Sequence, residues 1–217
     1  MPATPVSPEA EPPFDRTAAA AERYALAVVL PLWMAAGSLD YFLHRRSRIE
    51  ATSGTFEARL HVLGITLSAA PVLAGLLLEI DAGVLAIMGV GYVTHLGMTI
   101  WDVGYADGRR QIVPLEQHVH ALLELLPFTA LSLLALAHKE QARALVGRGS
   151  QPARLRLRSK RRPLPARVLA ATMGTFAAVV ALPYAEELLR CMRYERERAV
   201  LGADAPSEHR EIERTEE

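Results

Sequence analysis

Apolar residues in this chain come in long blocks rather than at regular intervals. A helix on the surface of a soluble domain shows a single apolar stripe. A segment that is apolar on every side needs lipid or a deep core around it, and about 20 such residues cross a bilayer. Five blocks approach or exceed that length, at roughly residues 22–43, 56–80, 84–101, 113–138 and 166–182. The pattern predicts an all-α integral membrane bundle of about five transmembrane helices, forming one domain over residues 22–198.

The punctuation between blocks agrees with that division. Pro31 sits inside the first block and predicts a kink. Ser53 or Thr55 is a plausible N-cap for the second. Asp81-Ala82-Gly83 and Asp107-Gly108 read as turns, and Pro114 suits the first turn of the fourth helix. Gly89, Gly91 and Gly97 offer small surfaces for close helix contact in the third. Pro127 leaves open whether the fourth segment spans fully. Residues 139–165 form a basic linker before the fifth block, which continues as a polar helix to about Arg198. Residues 1–21, rich in Pro, Ala and acid, are expected to be a disordered tail and lack the apolar stretch of a signal peptide. Residues 199–217 are expected to be a charged C-terminal tail.

Composition sharpens the picture in two places. The 24 Lys and Arg balance the 24 Asp and Glu, yet the charges are segregated into tails and connections. Basic residues divide evenly between the two ends of the expected bundle, so the positive-inside rule does not orient it. The flanks of the first helix favour a cytoplasmic position for the end bearing residues 44–48, in a bacterial-type inner membrane. The basic linker lacks interleaved aromatic residues and joins two spans, so it reads as a lipid-surface contact and not as a nucleic-acid site. The single cysteine, Cys191, excludes an internal disulfide framework and any CxxC motif. A metal in this chain would be held by His, Asp and Glu, which favours iron, manganese or zinc over copper(I) or iron–sulfur clusters.

Four pairs of ionisable residues then stand out within or against the apolar blocks: Asp40/His44, Glu57/His61, His95/Asp102 and Glu116/His120. Three are spaced i,i+4 and one i,i+7, so each pair shares a helix face. An ionisable group near hydrocarbon costs several kcal/mol unless it is paired, bound to metal or lining a wet cavity. The first pair closes its helix, the second opens the next, the third closes and the fourth opens. Alternating helix directions therefore bring all four pairs to one end of the bundle. The fifth span ends there too, which puts Glu186 and Glu187 within reach. A lone His near an interface, or a single Asp–His pair, is commonly structural. Four pairs at one depth predict a metal centre with Asp40, His44, Glu57, His61, His95, Asp102, Glu116 and His120 as ligands.

Residues of lower rank are Glu50, His118 and Glu124. Glu50 lies in a basic loop beside Arg48. His118 faces away from His120 on a regular helix, and Glu124 continues the Glu116/His120 face one turn deeper. Arg45, Arg46, Arg48, Arg109 and Arg110 ring the same end and read as headgroup anchors, or else as a clamp for an anionic ligand.

This donor set suits two iron ions, with manganese as the alternative. A site of that kind beside an apolar chamber fits a non-haem di-iron oxidoreductase of the hydroxylase or desaturase type, taking a lipid or other apolar small molecule and electrons from an external donor. A single zinc would instead imply a membrane hydrolase with Glu57 or Glu116 as general base. Haem b would use two of the histidines and give the carboxylates no role. A proton or metal transporter would spread ionisable groups through the membrane depth, whereas the far halves of these spans are apolar. Membrane desaturases and hydroxylases carry clustered HxxxH and HxxHH boxes, which are absent from this chain. The soluble ferritin-like di-iron proteins use Glu-x-x-His, whereas Glu57–His61 and Glu116–His120 are Glu-x-x-x-His.

Overall fold

The five apolar blocks are continuous helices in the computed structural model, which describes residues 13–203. Helix α1 covers residues 13–47, α2 Gly54–Leu77, α3 Ala82–Ala106, α4 Pro114–Ala137, α5 Lys139–Leu145 and α6 residues 166–203. All but the short α5 are long and apolar enough to cross a membrane. Of the tails expected at 1–21 and 199–217, residues 1–12 and 204–217 lie outside the described residues, whereas 13–21 and 199–203 are helical. Within the described part, α1 begins at Pro13 and α6 continues to Ala203, beyond the bounds that hydropathy suggests.

Contacts between the long helices run from α1 to α4, α3, α2 and α6, and back to α1. The five therefore close a ring, with α1 and α2 facing one another across its centre. Phe42, Val90, Val93, Ile100, Leu125, Leu136 and Leu182 are exposed on the perimeter, as expected of helices whose outer solvent is lipid. Inside, one apolar cluster around Val84, Leu85 and Leu134 fills the far end. A second, around Met34, Tyr41, Val180 and Tyr184, lies at the α1–α6 contact. A third, of Ile49, Ala58 and Cys191, lies beside the turn that joins α1 to α2.

Prolines shape the helices without ending them. Pro31 and Pro183 each follow a π-helical turn, Ala25–Val29 in α1 and Ala177–Ala181 in α6. A proline supplies no N–H to the carbonyl four residues earlier, and the π turn absorbs the resulting mismatch. In α6 that carbonyl belongs to Val179, and Ser38 Oγ on α1 lies 2.7 Å from it as donor. In α4 Pro127 frees the carbonyl of Leu123, which accepts from Trp33 Nε1 at 3.2 Å. Helix α4 runs unbroken through Pro127, so the fourth segment has its full spanning length.

Two local expectations are corrected. Ser53 holds the cap position of α2, but neither its hydroxyl nor that of Thr55 makes a capping hydrogen bond. The Thr55 N–H donates instead to Glu195 Oε1 of α6 at 3.2 Å. Of the α3 glycines singled out, Gly91 alone makes the close contact: a Cβ there would stand 2.7 Å from Pro71 Cγ, whereas Gly89 and Gly97 meet nothing within 4 Å.

The linker between α5 and α6 folds back on the α2–α3 turn at the far end. Its backbone joins that turn through Glu79 N to Arg158 O and Lys160 N to Leu77 O. Glu22 of α1 pairs there with Lys160 and with His138.

Candidate metal centre

Residues from α1, α2, α3, α4 and α6 converge at the opposite end of the ring. Asp40 and His44 come from one face of α1 as an i,i+4 pair. Glu57 and His61 occupy the first two turns of α2, and Glu116 and His120 the first two turns of α4. Asp102 comes from the last turns of α3, which runs a turn beyond its apolar block. Glu187 comes from α6. Asp40, His44, Glu57, Asp102, Glu116, His120 and Glu187 are all buried, and the His61 side chain is 7% exposed.

The contacts sort these residues into two ligand groups, and a third set of possible ligands, His44, His61 and Glu187, bridges them. In the first, His44 Nε2 lies 3.3 Å from Glu116 Oε1 and 3.6 Å from Asp40 Oδ1. His120 Nε2 lies 3.1 Å from the same Asp40 oxygen. In the second, His61 Nε2 lies 3.3 Å from Asp102 Oδ1 and 3.9 Å from Glu57 Oε1. In each group the ligand atoms all lie within 4.8 Å of one another, and the distances given above fall within the about 4.2 Å that separates two atoms sharing one metal at bonds of about 2.1 Å. The two groups are neighbours, because the imidazoles of His44 and His61 stack with centroids 4.4 Å apart. That contact leaves no space for a porphyrin between them.

Glu187 lies on the other edge of the stack. Its Oε1 is 2.6 Å from His61 Nδ1 and its Oε2 3.4 Å from His44 Nδ1. One carboxylate thus faces the Nδ1 edge of both rings, while both Nε2 edges turn toward the remaining carboxylates. A metal-bound histidine commonly donates its second nitrogen's hydrogen to such a carboxylate, which fixes its tautomer and its orientation.

The fit of a cation can be judged from polar atoms left over. Asp40 Oδ1, Asp102 Oδ1, Glu187 Oε2 and both ring nitrogens of His44 are buried without a hydrogen-bond partner. Buried polar groups are ordinarily satisfied, so a cluster of unsatisfied carboxylate oxygens and imidazole nitrogens at ligand spacing fits bound cations.

Arg110 completes the cluster from the loop between α3 and α4. Its side chain is 2% exposed. Nε and Nη2 donate to Glu57 Oε1 at 3.1 and 2.6 Å, and Nη1 and Nη2 donate to Glu116 at 2.9 and 2.5 Å. The sequence reading of Arg110 as a headgroup anchor is corrected: it is an internal fork holding one carboxylate from each ligand group. Burial opposes its charge, but Glu116 and Glu57 outweigh that and hold the guanidinium pKa above its ordinary value. Tyr184 is a second residue that hydropathy did not single out. It is buried on α6, and its hydroxyl lies 2.8 Å from Asp40 Oδ2 and 3.0 Å from the Gly37 carbonyl.

His95 stands apart from both groups. Its Nε2 lies 3.2 Å from the Leu123 carbonyl, and its Nδ1 lies 3.4 Å from Ser68 Oγ. Glu50 pairs with Arg190 of α6. His118 is exposed and Glu124 half-buried, and neither joins a ligand group. Glu186 accepts from Tyr41 at 2.8 Å and from Arg45 at 2.9 Å, on the outer side of α6.

The chain matches no protein-family model, and neither the curated proteins nor the solved structures contain a match to it. The functional reading therefore rests on the geometry of this centre within a membrane-type helical bundle.

Proposed function

We propose that the protein is a membrane-embedded non-haem di-metal oxidoreductase, holding two iron or manganese ions and acting on a lipid or other apolar substrate. The observation that carries this reading is the pair of adjoining His/carboxylate groups with an apolar cavity directly beneath them. Charge supports two ions over one. Asp40, Glu57, Asp102, Glu116 and Glu187 supply five negative charges, and Arg110 supplies one positive charge. With neutral imidazoles four negative charges remain, which two divalent cations cancel and one does not.

Asp40, His44, Glu116 and His120 would hold one ion, and Glu57, His61 and Asp102 the other. Such a pair supplies redox chemistry with O₂. Hydroxylation would convert a substrate C–H to C–OH, with the second oxygen atom released as water after uptake of two protons and two electrons from an outside donor. The chain's own part is to keep the site dry and to orient the ligands. Arg110 fixes one carboxylate of each group, and Glu187 fixes two imidazoles. The Tyr184 hydroxyl, at Asp40 and on the wall of the cavity, can hold a proton at that point. The flanks of α1 favour a cytoplasmic position for this end.

Elemental analysis of protein purified in mild detergent tests the reading. Two iron or manganese ions per chain are expected, with large losses in His120→Ala and His61→Ala. One zinc per chain, or metal content unaltered by both substitutions, would overturn it.

A further inference from the structure

The ring of helices is not filled to its centre. A cavity of about 90 Å³ lies directly beneath the ligand groups. A second, also about 90 Å³, follows it toward the far end. Trp33, Ser68 and His95 line both, so the two chambers adjoin, end to end, at the narrowing that these residues form.

The narrowing is a built feature. Trp33 Nε1 and His95 Nε2 both lie 3.2 Å from the Leu123 carbonyl, the one that Pro127 leaves without a helical partner. The indole and imidazole meet edge to face, with centroids 6.0 Å apart. A proline on α4 thus ties a side chain from α1 and another from α3 into a collar across the passage. This accounts for His95, an ionisable residue at mid-span that joins neither ligand group.

The two chambers differ in chemistry. The upper one is walled in part by Asp40, His61, Asp102 and His120. The lower one has no Asp, Glu, Lys or Arg on its walls. A water molecule needs two to four polar partners, and the lower chamber offers few, so its natural occupant is hydrocarbon. The passage is also long. Between His120 and Leu131, which line its two ends, α4 rises about 16 Å. A passage of that length with apolar walls matches an extended file of methylenes.

We propose that this passage binds one unbranched hydrocarbon chain, laid along the bundle axis through the Trp33–His95 collar. The inference deepens the di-metal reading and rests on it for one point only: the segment in the upper chamber is the one presented for reaction. A free fatty acid and the acyl chain of a membrane lipid share this chemistry.

Trp33 reports on the passage directly. The chain has two tryptophans, so Trp101→Phe leaves Trp33 as the only one. Titrating that variant in detergent with dibromostearic acid, whose bromines quench indole on contact, should remove more than half of the emission in a saturable manner. Dibrominated phosphatidylcholine in place of the acid distinguishes a membrane lipid from a free acid as the better-bound source. Gly64→Leu places a side chain where a Cβ meets open space, filling the upper chamber. Ala130→Phe fills the lower chamber from α4. Each should abolish the saturable quenching while thermal unfolding and metal content stay as in the parent, and the second variant serves where the first does not fold.

Quenching that rises linearly without saturation with both probes, and equally in both plugged variants, would mean that bromine reaches Trp33 from the surrounding detergent, and would overturn the proposal. Metal content measured on the same samples separates the two readings. Saturable quenching without metal keeps the passage and removes the di-metal centre. Two metals without saturable quenching keep the centre and remove the passage.

Discussion

His44 and His61 lie face to face, with ring planes 3° from parallel, and both turn their Nδ1 edges toward Glu187. Two positive charges about 4 Å apart repel by about 4 kcal/mol at an effective dielectric of 20. The carboxylates of Asp40, Glu116, Asp102 and Glu187 around the rings offset that repulsion, but a histidine ligates metal only as the neutral ring, so a loaded centre would hold two neutral imidazoles. Neutral rings with Nδ1–H on the Glu187 side leave both Nε2 lone pairs toward the ligand groups. Glu187→Gln keeps the shape of the side chain and removes its charge. It should weaken metal binding by about 10- to 100-fold, read by competition with a chromophoric chelator, while two ions still bind at saturating metal. An unchanged affinity would show that Glu187 orients neither ring.

Arg110 is the only cation that touches both ligand groups among the described residues. Removing one partner of a buried ion pair costs about 3–5 kcal/mol, because the other charge is left uncompensated. Arg110→Ala strands Glu57 and Glu116 together, so thermal unfolding in detergent should fall at least that far. Arg110→Lys should recover little, since one ammonium cannot fork to two carboxylates. Full rescue by Lys would mean that net charge, and not the bidentate geometry, holds the cluster together.

Much of this centre was legible from helical periodicity and chain alternation, because those two properties fix face and end. The i,i+4 pairs Asp40/His44, Glu57/His61 and Glu116/His120 each share a face, and the order of closing and opening helices brings them to one end. The end of the fifth span put Glu186 and Glu187 within reach without distinguishing them, and only Glu187 turns inward. Depth was the missing coordinate for His95. An i,i+7 spacing repeats the face, but it carries a rise of about 10 Å, so His95 and Asp102 sit at different levels. Arg110 was illegible for another reason. It lies in the turn after Asp107-Gly108, where Gly108 has φ 77°, and the path of such a loop decides whether a side chain points in or out. Hydropathy treats an arginine there as one more charge at the interface.

Gly91 and Gly89 should respond oppositely to the same substitution. A Cβ at Gly91 would overlap the ring of Pro71 at 2.7 Å, whereas at Gly89 it meets open space. Gly91→Ala must push α2 and α3 apart and should cost about 1–3 kcal/mol. Gly89→Ala should be neutral or stabilising by up to about 1 kcal/mol, through helix propensity alone. Equal effects on unfolding would show that the α2–α3 contact does not depend on the Pro71–Gly91 approach.

Trp33 and Pro127 are coupled through one atom, the Leu123 carbonyl oxygen. Pro127 withholds the N–H that would otherwise occupy it, and the Trp33 indole, 3.2 Å away, takes its place. In the parent chain Trp33→Phe should cost about 1 kcal/mol for the lost hydrogen bond, beyond any change in packing. In a Pro127→Ala background the restored backbone N–H competes for the same oxygen, so that hydrogen-bond contribution should vanish. A double-mutant cycle read by thermal unfolding should therefore show a coupling of about 1 kcal/mol between positions on two different helices, separated by nearly half of the chain. Additive effects would mean that the indole is held by packing alone, and that the collar owes nothing to the proline.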